Sequence, residues 1–327
     1  MINFEYIRVS TPKGAVDALR KDSSAQLIAG GTNLVDLMKK GVAAPGKLVD
    51  ITNLPLKQIE KQENNLRIGA LAFNSEVAEH ELIIKEQPLL SLALKAGASQ
   101  QIRNMATVGG NLMQRTRCPY FYNTDMPCNK RQPGTGCGAL KGFNRMHAIF
   151  GASDKCIAVH PSDMCIALAA LAAIVLVTGP KGDRRIAFQD FHRLPGDTPQ
   201  KDNTLEEDEL IVAIEIPDNN FRSHVHYLKV RDRTSYAFAL VSVAAALDMQ
   251  GDTIKDIRLA MGGVAHKPWR LIEAEHFLKG KTASEANLQQ AAALAMRTAK
   301  GYGSNNFKLK LAPTTMVEAL KLAATKA

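Results

Sequence analysis

The sequence predicts an α+β chain made of an α/β amino-terminal unit, a mixed second unit, and a carboxy-terminal unit of antiparallel strands packed on helices. Three observations carry this. The first fifty residues alternate strand, helix, strand, helix, strand. From Leu66 the pattern changes to strands mixed with longer helical stretches, and beyond Pro217 two apolar strands are followed by helical spacing alone.

In the first unit FEYIRV is strand-like, Thr11 to Arg20 has helical spacing, Ala25 to Ala29 is a short apolar strand, Asn33 to Lys40 is helical, and KLVDIT returns to strand. In the second, RIGALA is a strand and Leu82 to Ala98 a helix. The apolar run Met164 to Val177 splits into a helix capped by Ser162 or Asp163 and a β-rich AAIVLV. IVAIEIP alternates and stops at Pro217, and Asp218 to Ser223 reads as a linker. After a charged strand pattern from Tyr227 to Arg233 come strands Tyr236 to Met249 and Ile257 to Val264, then helices Ser284 to Lys300 and Thr315 to the end. The expected divisions are 1–55, 56–217 and 224–327.

The 327 residues are 46% apolar and 22% charged, which excludes wholesale disorder. The longest apolar run has 14 residues, short of the roughly 18 a membrane helix needs. The amino terminus carries Glu5 and Arg8 and lacks a basic segment followed by an apolar one, so no export signal is expected. A net charge of +9 suits nucleic acid, a membrane surface or an acidic partner, and equally a solvated basic surface.

Two glycine motifs stand out. In Ala29-Gly30-Gly31-Thr32-Asn33-Leu34 the glycines permit a sharp turn and close backbone approach, Thr32 and Asn33 can cap the following helix, and free N–H groups would face an anion such as a pyrophosphate. It is neither GxGxxG nor a Walker loop. A second motif, Asn104 to Leu112 with Thr107, Gly110 and Asn111, repeats the logic, so the pair could grip one dinucleotide from two sides. His160-Pro161-Ser162-Asp163 reads as the cap of the apolar helix.

Residues 115–145 fit neither helix nor strand. They hold Pro119, Pro127, Pro133, Gly134, Gly136, Gly138 and Gly142, six Lys or Arg (Arg115, Arg117, Lys130, Arg131, Lys141, Arg145) and Asp125 as the sole acid. A structureless loop of that length needs an organiser. Cys118, Cys128, Cys137 and Cys156 are spaced C-x9-C-x8-C-x18-C in and just beyond it. An iron–sulfur cluster tolerates such irregular spacing, zinc prefers close C-x2-4-C pairs, and buried unreactive cysteines are the plain alternative. The six cations would offset the charge of a thiolate-bound cluster. Cys165, inside the apolar helix, reads as core. No HExxH, GxSxG or paired carboxylates occur, so the chain is expected to lack acid/base machinery of its own.

The segments IAGGTNLVDLMK (28–39), IRNMATVGGNLMQRTRCPYFYN (102–123), HPSDM (160–164) and YLKVRDRTSYAFALVSVAAAL (227–247) resemble the flavin subunit of the xanthine dehydrogenase and molybdenum hydroxylase family. The likeness covers essentially the whole chain. RTRCPYFYN, PCNKR and GGVAHKPWR look most like the periplasmic aldehyde oxidoreductase branch, whose flavin subunit carries the cysteine insertion, here 115–157. The resemblance implies an oxidoreductase subunit with two α/β subdomains clasping FAD and a third domain with a three-stranded antiparallel sheet. It implies that Ala29, Gly30, Gly31, Thr32, Asn33 and Leu34 hold the pyrophosphate, with Thr107, Gly110, Asn111 and Met113 from the second loop. Asp163 would contact the adenosine end, Ile211 would pack on the isoalloxazine, and Lys229 would lie near the ring. Cys118, Cys128, Cys137 and Cys156 would ligate a [4Fe–4S] cluster.

By the same likeness, a [2Fe–2S] small subunit would deliver electrons from a molybdenum-cofactor large subunit that oxidises an aldehyde, and FAD and the cluster would pass them to an external acceptor. The heterotrimer would reach the periplasm folded, exported with a signal-bearing partner; without one a signal-free chain stays cytoplasmic. A flavin subunit like that of 4-hydroxybenzoyl-CoA reductase is the alternative within the family. Outside it stand a self-contained flavin oxidase and a zinc-stabilised basic module that binds nucleic acid. No nucleic acid and no membrane span are expected.

Overall fold

A computed structural model describes residues 1–325. Its twelve strands form three sheets. The first is β1 (Glu5–Arg8), β2 (Ala25–Ile28) and β3 (Lys47–Asp50), parallel in the order β1-β3-β2, with the helices Pro12–Lys21 and Leu34–Lys39 as crossovers. Thr11 caps the first helix by accepting from the Gly14 amide, and Pro12 sits in the first turn where its missing N–H costs nothing.

The second sheet contains β4 (Ile59–Gln62), β5 (Asn65–Gly69), β6 (Ile174–Gly179), β7 (Gly182–Ala187) and β8 (Leu210–Pro217), antiparallel in the order β4-β5-β8-β6-β7. The third has β9 (His224–Val230), β10 (Val241–Gln250), β11 (Thr253–Gly262) and the two-residue β12 (Trp269–Arg270), antiparallel in the order β12-β11-β10-β9. The expected α+β architecture is therefore present, its three-stranded third sheet extended by a short edge strand.

The helix Asp163–Ala170 explains how the second and third units join. All eight of its residues are buried, which suits a helix that is apolar all round. It packs against the helix Pro88–Ala96, β10 and β11, while Ser162 accepts from the Cys165 amide to cap it. Cys165 lies in this core, as its sequence position suggests.

Several boundaries differ from the sequence reading. Leu82 to Ala98 is not one helix: Glu81–Glu86 and Pro88–Ala96 are separate, because Pro88 cannot continue the preceding turn but can start a new one. The last helix begins at Lys308 and runs through Pro313 to Ala324, so it starts a full two turns before Thr315. The final residues 326–327 of that expected helix lie outside the described residues. No described helix is long and apolar enough to cross a membrane.

Candidate functional site

The first glycine motif leaves β2 at the carboxyl edge of the parallel sheet, where ligands of open α/β sheets bind. Gly31 has φ +69°, a left-handed turn that L side chains adopt at a cost. Among the described residues, no acceptor takes the amides of Gly30, Gly31, Thr32 or Asn33. A run of free N–H groups around a left-handed glycine makes a concave anion site. Asn33 adds an inward donor: its Oδ1 accepts the Arg115 amide at 2.9 Å, while its buried Nδ2 has no partner. This loop fits a pyrophosphate.

The second motif is built differently, and this corrects the expectation that it repeats the first. Its amides are spent inside the protein. Val108 N–H donates to Ala72 O at 3.0 Å, Gly109 N–H to Ala70 O at 2.7 Å, Asn111 N–H to Thr107 O at 2.8 Å, and Gly110 N–H to Thr107 Oγ1 at 3.2 Å. What it can offer a ligand is surface: exposed Gly110 and Met113, and the Asn111 side chain, whose Oδ1 accepts from Ser162 Oγ at 2.6 Å. The two loops touch, since a Cβ placed on Gly30 would lie 1.8 Å from Met105 O.

Asp163 and Lys229 meet. The carboxylate accepts from Lys229 Nζ and from Tyr227 Oη, both at 2.7 Å, and Lys229 also donates to Ala96 O at 3.1 Å. Burial pushes the Asp163 carboxyl up in spite of the lysine. One residue was expected at the adenosine end of an extended dinucleotide and the other at its ring. The structure joins the two as a hydrogen-bonded pair that ties the start of the helix Asp163–Ala170 to β9. Ile211 lies at the head of β8, buried in the same core as Val177 and Val108.

The cysteine segment is ordered by packing and by hydrogen bonds. Cys128 and Cys137 pair as an isolated antiparallel bridge. Arg131 holds the loop by donating to the carbonyls of Tyr120 and Phe121 at 2.8 and 2.9 Å, and to Thr124 O. The segment is fastened to the helix that follows the first glycine loop: Asp36 accepts from Arg117 Nη1 at 3.1 Å and Tyr122 Oη at 3.0 Å, and Phe121 packs with Leu37 and Cys128.

All four cysteines are free thiols, and Cys118 and Cys156 both lie close enough to Cys128 to feel its charge. Burial pushes Cys118 up to about 12, with Cys128 and Cys156 raising it further; burial likewise pushes Cys156 up to about 11, with Cys137 and Cys128 adding to it. Bare, these groups hold their protons; a bound metal group would take their place as thiolate partner. Among the described residues no three of the four sulfurs lie within 4.8 Å of one another. A tetrahedral zinc with bonds of about 2.3 Å needs sulfur separations of about 3.8 Å. The four sulfurs as they stand do not offer zinc that set.

The cations of this segment do not serve mainly as counter-charge to the thiols. Arg115 and Lys130 pair with Asp202, Arg117 with Asp36, and Arg145 with Asp232. Sequence gave no sign of Asp202, which lies more than seventy residues from Lys130. Lys130 is buried, and the two cations hold the Asp202 carboxyl well below the usual carboxylate range although burial opposes them. A carboxylate with a depressed folded pKa stabilises above its unfolded value of about 3.9 and loses that contribution as pH falls through the folded value. Asp202→Asn is therefore expected to cost about 3–5 kcal/mol at neutral pH by stranding the Lys130 charge. Urea titrations should show the gap to the parent closing on acidification below about pH 4; a gap that is constant with pH would contradict this.

Residues 2–219 match the family described as the FAD binding domain in molybdopterin dehydrogenase, and residues 226–323 match the CO dehydrogenase flavoprotein C-terminal domain. The chain belongs to the molybdopterin dehydrogenase FAD-binding family. It is an oxidoreductase subunit whose cofactor is FAD, and the free-amide loop and the unpartnered Asn33 Nδ2 fit that cofactor. Among relatives, the aldehyde oxidoreductase FAD-binding subunit PaoB of Escherichia coli K12 is 47% identical, with 99% of each chain covered. The glyceraldehyde dehydrogenase medium chain of Sulfolobus acidocaldarius is 28% identical over 85% of this chain and 82% of its own. Carbon monoxide dehydrogenase from Hydrogenophaga pseudoflava superposes with a TM-score of 0.78 at 26% identity, covering 99% of this chain and 98% of that one.

Proposed function

We propose that this FAD-binding chain is the electron-transfer subunit of a three-subunit molybdenum-dependent aldehyde oxidoreductase, and that it also carries a [4Fe–4S] cluster on Cys118, Cys128, Cys137 and Cys156. The observation that carries the reading is the fastening of the cysteine segment onto the helix Leu34–Lys39, directly after the free-amide loop. A flavin on that loop and a cluster on those sulfurs would be neighbours. The 47% identity to an aldehyde oxidoreductase FAD-binding subunit supports the substrate class.

When bound, FAD can exchange electrons singly or in pairs and a cluster can exchange them singly, which lets a chain without acid/base residues work by transfer alone. The amides of Gly30 to Asn33 bind and orient the pyrophosphate. Asn33 ties that loop to Arg115, at the entrance to the cysteine segment. The buried Asp163–Lys229 pair sets the turn whose Ser162 holds Asn111 in place. The partners of this reading are a [2Fe–2S] small subunit that delivers electrons and a molybdenum-cofactor large subunit, with an external acceptor downstream. The complex is assigned to the periplasm, exported with a signal-bearing partner; fractionation of cells expressing all three chains tests this, and a wholly cytoplasmic complex would overturn it.

The purified chain is expected to carry FAD and about four iron and four sulfide per monomer. FAD with no iron would remove the cluster while leaving the flavin assignment intact. Zinc in place of iron would do the same.

A further inference from the structure

Beside the cysteine site lies a histidine that the sequence did not single out. His147 Nε2 is 3.1 Å from Cys118 Sγ. Its ring is buried, tilted against Tyr120 at a centroid distance of 6.3 Å, and its Nδ1 is buried with no partner. The tautomer follows from these facts. A proton on Nδ1 would leave a buried N–H without an acceptor and turn a lone pair toward sulfur. A proton on Nε2 leaves only a lone pair unused and gives the sulfur a donor.

The backbone of His147 is clamped from the third domain. Its carbonyl accepts from Lys308 Nζ at 3.1 Å and Asn305 Nδ2 at 3.4 Å, and its own amide donates to Asn144 O at 3.0 Å. Lys308 also donates to Gly263 O at 2.7 Å, and both Lys308 and Asn305 are fully buried. The backbone that carries the ring is thus held jointly by Lys308 at the start of the last helix, by Asn305 just before it, and by Asn144 of its own loop.

We infer that His147 is a positioning residue that donates Nε2–H to the Cys118 sulfur and raises the reduction potential of the iron–sulfur group ligated there. The inference rests on the cluster reading above. Hydrogen bonds to ligating sulfur favour the reduced state, because an added electron places negative charge where the N–H dipole points. The Phe121 amide, by contrast, donates to the Cys118 carbonyl at 3.0 Å, so the imidazole is the donor that faces the sulfur. Among the described ligands Cys118 is the one with an imidazole donor.

The test is redox titration of the purified chain, followed by electron paramagnetic resonance, in the parent, His147→Leu and His147→Gln. Loss of the donor in His147→Leu is expected to weaken reduction about ten-fold, a fall of about 59 mV for a one-electron couple. His147→Gln, which keeps an N–H, should fall much less. Should His147→Leu fail to assemble, the parent grown with 15N-histidine supplies a second readout: an imidazole nitrogen coupling on the reduced signal that His147→Gln lacks. Iron-loaded parent and variants with equal potentials, or no histidine coupling in the parent, would overturn the inference alone. A parent without iron would overturn the cluster reading and this inference with it.

Discussion

In a Gly30→Val chain, bound flavin is expected to disappear and the apo-protein itself to lose about 3 kcal/mol of stability or more. A Cβ at this position would lie 1.8 Å from Met105 O and 2.7 Å from its carbonyl carbon, and a backbone cannot swing aside as a side chain can. The first loop would be pushed off the start of the second. Gly110→Val should behave differently. There the nearest atom to a new Cβ is Thr107 Oγ1 at 3.0 Å, and the residue is exposed. Its apo-stability should stay within about 1 kcal/mol of the parent while flavin affinity falls, because the added bulk enters ligand space rather than protein. Denaturant unfolding of the apo-proteins together with flavin absorbance of the purified chains separates the two. Equal destabilisation by both substitutions would show that the loops are not built asymmetrically.

That asymmetry marks where sequence reasoning stopped. Gly30-Gly31 and Gly109-Gly110 look alike as strings, yet one leaves its amides free while the other spends them on Ala70 O and Thr107 Oγ1. Thr107 is a local cap, but Ala70 comes from a distant stretch that no local pattern announces. The same holds for the charges. Arg115, Arg117, Lys130 and Arg145 read as a basic loop in want of an anion, whereas each finds a carboxylate from elsewhere in the chain. What was legible had a local cause. Ser162 capping the apolar helix and strand AAIVLV after it follow from cap chemistry and β-branching. The break at Pro88 was legible too, but apolar periodicity on both sides of it suggested a single helix.

Lys229→Met is expected to cost about 3–5 kcal/mol at neutral pH, since it leaves the Asp163 carboxylate buried without its cation. The pH dependence of that loss discriminates between an ion pair and simple packing. Burial already raises the Asp163 pKa with Lys229 present, and removing the lysine must raise it further. A carboxyl whose folded pKa lies above the unfolded value of about 3.9 is stabilising when protonated and loses that contribution as pH rises through the folded value. The deficit of Lys229→Met should therefore be small near pH 4 and grow toward neutrality. Adding Asp163→Asn should recover part of the neutral-pH loss, because the double variant strands no charge. The flavin site feels the same change. Asp163 opens the helix whose cap, Ser162, donates to Asn111 at 2.6 Å, so releasing the pair loosens the second loop from behind. Weaker flavin binding in Lys229→Met, restored in part by the second substitution, would place this pair in support of the loop. Unchanged binding alongside a pH-dependent stability loss would confine it to the fold.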